Sequence, residues 1–167
     1  AQAVALSHHS DLPTTARLFA ALNLTFADSA IAFYDAKYTY RLWRPVTAIR
    51  LADTDGNPNT VGDPNWLPLA GNTAADPSYP GAHSTISAAG EDVLAAFYGE
   101  TQHFSVTSPA LPGVTRSFGS FSAAAQEAGL SRIYSGQHTR LDHAAGLALG
   151  HHVASFVLDN ALLTAHA

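Results

Sequence analysis

The sequence contains no cysteine among its 167 residues, which excludes disulfide bonds and thiolate chemistry. Methionine is also absent. No run of about eighteen apolar residues occurs, so no transmembrane helix is expected. Positive charge is scarce, since eight Lys and Arg stand against thirteen Asp and Glu, for a formal net charge of −5. A chain with this balance and no cluster of five or more basic residues is not expected to bind nucleic acid or an anionic membrane surface.

Apolar residues, by contrast, are plentiful. They make up 47% of the sequence, which allows a single domain over residues 1–167 with a sizeable core. Alanine is abundant and β-branched runs are rare, a composition that favours packed helices. The sequence therefore predicts an all-α fold in the form of a helical bundle.

Apolar spacing and helix-end signals predict four main helices and two long loops. The first thirteen residues are expected to form an irregular arm. A long helix follows, capped by Thr14 or Thr15 and ending near Trp43 before Pro45, with another turn or two after it. The other helices are predicted at about Ser84 or Thr85 to Phe97, 120–134 and Thr139 to Leu163, and the loops at 53–82 and 99–118.

The few basic residues are clustered. Lys37, Arg41, Arg44 and Arg50 fall within fourteen residues. Seven helical residues turn the chain by about 700°, so Lys37 and Arg44 are expected within about 20° of one helix face. A Lys ammonium and an Arg guanidinium at that spacing suit two oxygens of one anion. A solvated basic face is the alternative interpretation of this pair.

A second candidate site lies in the string YPGAHST, at a predicted junction between loop and helix. The small residues Gly81 and Ala82 allow backbone N–H groups to approach an anion, and the following helix adds its dipole. His83 is placed to act as an acid or base near neutral pH. A capping or packing role is the alternative for His83.

The third candidate is the string SRIYSGQHTRLD. Arg132 ends one predicted helix, Gly136 breaks it, and His138 precedes the next. Asp142 can reach back to His138 if both are helical. A carboxylate partner fixes the tautomer of a histidine that acts as a nucleophile or metal ligand. A structural salt-bridge cluster is the alternative here.

Together the three strings read K-x6-R-P, P-x-x-H and S-R-x5-H-x3-D between residues 37 and 142. This order and spacing resembles the signature of the superfamily that unites vanadium-dependent haloperoxidases with type 2 phosphatidic acid phosphatases and bacterial acid phosphatases. The strings WRPVTAIR, YPGAHST and SRIYSGQHTRLD resemble the haloperoxidase branch more closely than the membrane phosphatases.

The resemblance implies a role for each site residue. The cations implied to hold the equatorial oxygens of vanadate, or of phosphate in the same site, are Lys37, Arg44 and Arg132. His138 is implied to bond vanadium or to attack phosphorus, and His83 to be the acid–base residue near the apical oxygen. Asp142 is implied to support the cluster, with Gly81 and Ala82 lending their backbone to the anion.

The implied activity is oxidation of halide by hydrogen peroxide with vanadate as cofactor. A lack of cysteine and methionine suits an enzyme that releases hypohalous acid, because both are readily oxidised. Two alternatives stay open. One is an acid-phosphatase-like phosphomonoesterase acting through a phosphohistidine at His138, and the other is a non-catalytic phosphate-binding relative. The expected partners are small molecules: peroxide and halide, or a phosphoester.

Two positions depart from the superfamily pattern. The family usually has P-S-G-H where this chain reads PGAH, so Gly81 replaces a serine whose hydroxyl would bond the anion. Ser84 or Thr85 could substitute for it from the helix start. Asp76 precedes His83 by seven residues, where chloride-oxidising relatives tend to carry an aromatic residue. A carboxylate pointing into the pocket there would repel halide.

The resemblance also implies a further helical region before the first motif, of which this chain contains little. The exposed core is expected to be covered either by such a region or by a second copy in a homodimer. A secreted or periplasmic location is the expectation.

Overall fold

The computed structural model describes residues 1–162, and helices account for most of them. Their bounds are α1 Gln2–Ser7, α2 Leu12–Tyr40, α3 Pro45–Arg50, α4 Ala82–Tyr98, α5 Phe121–Tyr134 and α6 Arg140–Asn160. Strands β1 Phe104–Ser108 and β2 Leu111–Phe118 form an antiparallel hairpin in which Ser105 lies opposite Ser117. The prediction of a helical bundle is confirmed, although the hairpin within the predicted loop 99–118 was not foreseen.

The irregular arm predicted for residues 1–13 is wrong, because α1 forms there and buries Val4 and Ala5. The next helix begins at Leu12 rather than after a threonine cap. Its cap is Asp11, whose carboxylate accepts a hydrogen bond from the Thr14 backbone N–H at 2.9 Å. Aspartate is a preferred N-cap and Pro13 suits the first turn, which explains this start.

Helix α2 ends at Tyr40, before the predicted end near Trp43. Arg41 adopts a left-handed conformation with φ 52°, and Arg44 is extended as the N-cap of α3. A residue before proline avoids the helical conformation, so Pro45 keeps Arg44 out of any helix that precedes it. The prediction that Lys37 and Arg44 share a helix face is therefore wrong. The short helix expected after Pro45 is confirmed as α3.

The core lies where α2, α4 and α6 pack together. Its buried residues are Ala5, Leu18, Ala21, Leu22, Ala89, Val93 and Ala154. Gly146 and Gly150 let α6 approach α4 closely. A Cβ on Gly146 would lie 2.5 Å from the Gly81 carbonyl oxygen. A Cβ on Gly150 would overlap the Thr85 carbonyl oxygen. This packing fixes the start of α4 beside the start of α6.

The remaining helix ends follow the predicted signals closely. Helix α4 starts at Ala82, two residues before the predicted start, and α5 is capped by Ser120. Gly136 follows α5 with φ 77°, as expected of a C-terminal cap. Thr139 caps α6, which ends at Asn160, whereas Leu163, the predicted end, lies outside the described residues.

The stretch Leu12–Arg50 contains an 18-residue window with a mean hydropathy of 1.2, which is long and apolar enough to cross a membrane by length and composition. This is weak evidence for a span, because the core helix of a globular protein passes the same test. The helix does contribute Leu18 and Leu22 to the core, while Ile31, Tyr34 and Tyr38 remain exposed on its other side. The absence of a membrane span stays a prediction, as does the homodimer.

Candidate oxyanion site

Three segments far apart in the sequence meet in one polar cluster. Lys37 comes from the last turn of α2, Arg44 from the start of α3, and Asp76 from the long loop. Lys37 Nζ lies 3.0 Å from Asp76 Oδ2, and Arg44 Nη2 lies 3.1 Å from Asp76 Oδ1. The two cations are thus directed at the two oxygens of one carboxylate.

Lys37 is fully buried, which is rare for a lysine and requires its ammonium to be paired. Besides the Asp76 carboxylate, its Nζ donates to the backbone oxygens of Pro77 and Ser78, the latter at 3.2 Å. Burial lowers the pKa of Lys37, and the hydrogen bond and negative charge of Asp76 oppose that shift. Burial would raise the pKa of Asp76, yet Lys37 and then Arg44 bring it below its usual value.

Arg44 connects the long loop to the start of α6. Its Nε donates to the Asp76 carbonyl oxygen at 3.0 Å, and its Nη1 donates to the Gln137 carbonyl oxygen at 3.0 Å. The same Nη1 lies 3.1 Å from His138 Nε2. The guanidinium fork therefore fixes the position of a histidine as well as that of a carboxylate.

The hydrogen-bond partners of His138 assign its tautomer. Arginine can only donate, so the Nε2 facing Arg44 carries the lone pair. Nδ1 then carries the proton and donates to Asp142 Oδ2 at 3.3 Å. Burial lowers the pKa of His138, Asp142 opposes the shift, and the net direction is downward. His138 is therefore a neutral imidazole near pH 7, with Nε2 as its nucleophilic or metal-binding atom.

Asp142 holds this arrangement in place. Its Oδ2 accepts hydrogen bonds from Ser78 Oγ at 2.7 Å and from the Thr139 backbone N–H at 2.8 Å, and the latter is half of a capping box at the start of α6. Burial would raise the pKa of Asp142, but the hydrogen bonds from His138, Thr139 and Ser78 lower it to about 2. The carboxylate is ionised at any pH where the protein is expected to work.

Arg132 and His83 complete the predicted set. Arg132 lies in the last turn of α5, and its carbonyl oxygen accepts the His138 backbone N–H at 3.2 Å. Its Nε is buried without a hydrogen-bond partner among residues 1–162. His83 is exposed in the first turn of α4. Partial burial lowers the pKa of His83, and the positive charges of Arg132 and Arg44 lower it further.

Close backbone contact explains the glycine at position 81. The Gly81 N–H donates to the Asp142 carbonyl oxygen at 2.8 Å. A Cβ on Gly81 would lie 3.1 Å from that same oxygen and 3.3 Å from Ser84 Oγ, which leaves little room for the expected serine. Ala82 follows as the first residue of α4 and is half-buried.

Neither hydroxyl proposed as a substitute for that serine is free of partners within the chain. Ser84 Oγ lies 2.8 Å from His143 Nδ1, and Thr85 Oγ1 donates to the Gly81 carbonyl oxygen at 3.1 Å. Both hydroxyls are therefore already engaged by groups of the chain itself.

Lys37, Arg44, His138 and Asp142 thus lie in one cluster, and backbone hydrogen bonds join Gly81 and Arg132 to it. Ala82 and His83 follow Gly81 in the first turn of α4. The structure adds two residues that the sequence did not single out. Ser78 bonds Asp142, and the buried Gln137 donates from its Nε2 to the Asn72 carbonyl oxygen at 2.9 Å, which ties the long loop to the start of α6. Asp76 was considered only as a residue that repels halide. No local pattern marks these positions, because loop residues carry no periodicity.

Comparison with known proteins shows which family has this arrangement. Residues 17–165 match the family described as the VCPO second helical-bundle domain. The chain belongs to this family. A bacterial vanadium-dependent iodoperoxidase of known structure is 32% identical and superposes with a TM-score of 0.80 over 93% of this chain. A stretch of 92 residues, 50% of this chain, is 34% identical to vanadium chloroperoxidase from Curvularia inaequalis.

The fold extends to more distant members. The holo-type structure of a bacterial vanadium-dependent chloroperoxidase superposes with a TM-score of 0.68 over 83% of this chain, at 17% identity. All these relatives are longer. The chain covers 36% of the iodoperoxidase, 34% of that chloroperoxidase and 14% of the Curvularia inaequalis protein.

The side chains present fit a tetrahedral oxyanion such as vanadate. A carboxylate already lies between Lys37 and Arg44, Arg132 has a buried donor without a partner, and His138 presents a lone pair. Within residues 1–162, no three His, Cys, Asp or Glu side chains are arranged to hold a metal ion.

Proposed function

We propose that this domain carries the vanadate site of a haloperoxidase that oxidises halide with hydrogen peroxide. The observation that supports this most is the neutral His138, whose Nε2 lone pair faces a group of cations and whose Nδ1–H is held by Asp142. The family to which the chain belongs supports the same assignment, since the similar proteins include a vanadium-dependent iodoperoxidase and a vanadium chloroperoxidase.

Vanadate, when bound, supplies a Lewis acid that activates peroxide toward halide. The protein supplies the binding and the charge. Lys37, Arg44 and Arg132 bind the oxygens and stabilise the negative charge that develops on them. His138 provides a ligand atom that is already deprotonated, so binding does not require the loss of a proton from the imidazole.

His83 is assigned to proton transfer. Its exposed position at the start of α4 allows it to exchange protons with solvent, and its lowered pKa leaves a neutral ring that accepts a proton from peroxide. The positive charges of the site would favour return of that proton. His138 lacks this access because it is buried and bonded at both nitrogens.

The proposal is tested by halide oxidation assayed with monochlorodimedone or phenol red. Turnover should require both vanadate and peroxide, and His138→Ala should reduce it at least about a thousandfold, because the only imidazole ligand is lost. His152→Ala is the matched control, since His152 is exposed on α6 away from the cluster. Full turnover in His138→Ala would overturn the assignment.

The alternatives give different results in the same assays. Hydrolysis of p-nitrophenyl phosphate that vanadate does not stimulate, with no halide oxidation, would indicate a phosphatase that uses His138 as the nucleophile. Binding of phosphate without either activity would indicate a non-catalytic relative.

A further inference from the structure

Asp76 occupies a position that the proposed function does not explain. Its two carboxylate oxygens pair with Lys37 and Arg44, the residues assigned to hold two oxygens of the bound anion. Its backbone carbonyl oxygen also accepts from Arg44 Nε. A planar carboxylate and an edge of a tetrahedral oxyanion present the same pair of acceptors to such a clamp.

We propose that Asp76 is an internal counter-ion that competes with the bound oxyanion for Lys37 and Arg44, and so lowers the affinity of the site for vanadate and phosphate. This inference rests on the proposed function only in assigning these cations to the anion. It adds a residue that determines affinity, which the three sequence motifs do not contain.

The burial of the cations explains why such a counter-ion is needed. Lys37 is fully buried, and a buried ammonium without an anion is strongly unfavourable. Asp76 neutralises it before any ligand arrives. The side chain of Asp76 is 22% exposed and lies in the loop between α3 and α4, so it can turn toward water when another anion takes its place.

Part of the Lys37 environment remains after such an exchange. The carbonyl oxygens of Pro77 and Ser78 still accept from Nζ, and Arg44 keeps its bond to the Gln137 carbonyl oxygen. The two cations are thus held in place by backbone, while the carboxylate is the replaceable partner.

The test compares the chain with Asp76→Asn by calorimetric titration with orthovanadate and with inorganic phosphate. Removing a negative charge next to the bound anion should lower the dissociation constants of orthovanadate and phosphate by about tenfold or more. Asp35→Asn is the control, because Asp35 is exposed on the same helix as Lys37 and its replacement changes the net charge by the same amount. Its affinity should stay within about twofold of the parent value.

Thermal unfolding gives a second readout. Without ligand, Asp76→Asn should unfold at a lower temperature than the parent chain, because Lys37 loses its counter-ion. Saturating phosphate should raise its unfolding temperature more than that of the parent. Circular dichroism checks the fold, and Asp76→Ser is a second variant. If both variants remain unfolded in saturating phosphate, Asp76 is a structural counter-ion only and the proposal fails.

Equal or weaker anion binding by Asp76→Asn would also overturn the proposal, since it would mean that the carboxylate does not oppose the ligand. Halide oxidation is scored separately. Tighter binding in a chain without peroxidase activity would support the role of Asp76 and remove the proposed function. Peroxidase activity of the chain, together with unchanged anion affinity in Asp76→Asn, would support the proposed function and overturn the role of Asp76.

Discussion

Two neighbouring regions of this domain are buried in different ways: one by pairing polar side chains, the other by close contact between helix backbones. Around Asp142, polar side chains are packed and nearly all their hydrogen-bonding atoms are paired. Where α6 packs against the first turns of α4, Gly146 and Gly150 carry no side chain and let backbone approach backbone. The second region makes the first possible. Close packing of α6 on the start of α4 brings the Asp142 carbonyl oxygen within reach of the Gly81 N–H, and with it the two histidines of the site.

The largest effect on stability is expected in the polar region. Asp142→Asn removes the charge that accepts hydrogen bonds from Ser78, His138 and Thr139, and it should lower the free energy of unfolding by about 3 kcal/mol. Urea unfolding measures this. Asp159→Asn, at the exposed end of the same helix, is the control and should change stability by less than about 0.5 kcal/mol. A similar decrease in the free energy of unfolding in both variants would mean that the buried hydrogen bonds of Asp142 add no stability beyond that of an exposed aspartate.

The same carboxylate predicts how stability depends on pH. The pKa of Asp142 is lowered from 3.8 to about 2 in the folded chain, so its ionised form stabilises the fold. That contribution is complete above about pH 4 and is lost as the pH falls toward 2. Acid unfolding followed by circular dichroism should show it in the parent chain. Asp142→Asn should be less sensitive to pH over this range, and equal sensitivity would contradict the assignment.

In the close-packed region, replacing a glycine by alanine should lower the free energy of unfolding, although alanine has the higher helix propensity. Gly150→Ala gains about 1 kcal/mol from propensity, but overlap of the new Cβ with the Thr85 carbonyl oxygen costs about 3 kcal/mol, for a net loss of about 2 kcal/mol. Ala148→Leu, on the exposed side of α6, should stay within about 0.5 kcal/mol. Greater stability of Gly150→Ala than of the parent chain would show that α4 and α6 can move apart without a decrease in the free energy of unfolding.

The smallest effect is expected at a surface contact between side chains of the same two helices. His151 Nδ1 lies 2.9 Å from Asp92 Oδ2, with 43% and 31% of the side chains exposed. Asp92→Asn should lower the free energy of unfolding by less than about 0.5 kcal/mol, because solvent screens the pair. A loss comparable with that of Asp142→Asn would remove the distinction between buried and exposed pairs on this interface.

Local sequence signals predicted most of the fold. Ser120 and Thr139 mark helix starts and Gly136 marks a helix end, since caps satisfy backbone groups within a few residues. The misses have local causes as well. Asp11 with Pro13 starts α2 before the threonines that also have capping side chains, and Pro45 keeps Arg44 extended, so α2 ends earlier than its apolar spacing predicts.

The sequence by itself determined most of the helices, the order of the three motifs and the identity of the cations and histidines, because these depend on residue type and short spacing. Only the tertiary structure decided how they meet. Lys37 and Arg44 meet across the helix end at Arg41 rather than along one helix face, and Asp76 reaches both from a loop. Such contacts depend on the packing of α6 against α4 and on the path of a long loop, which short-range pattern does not encode.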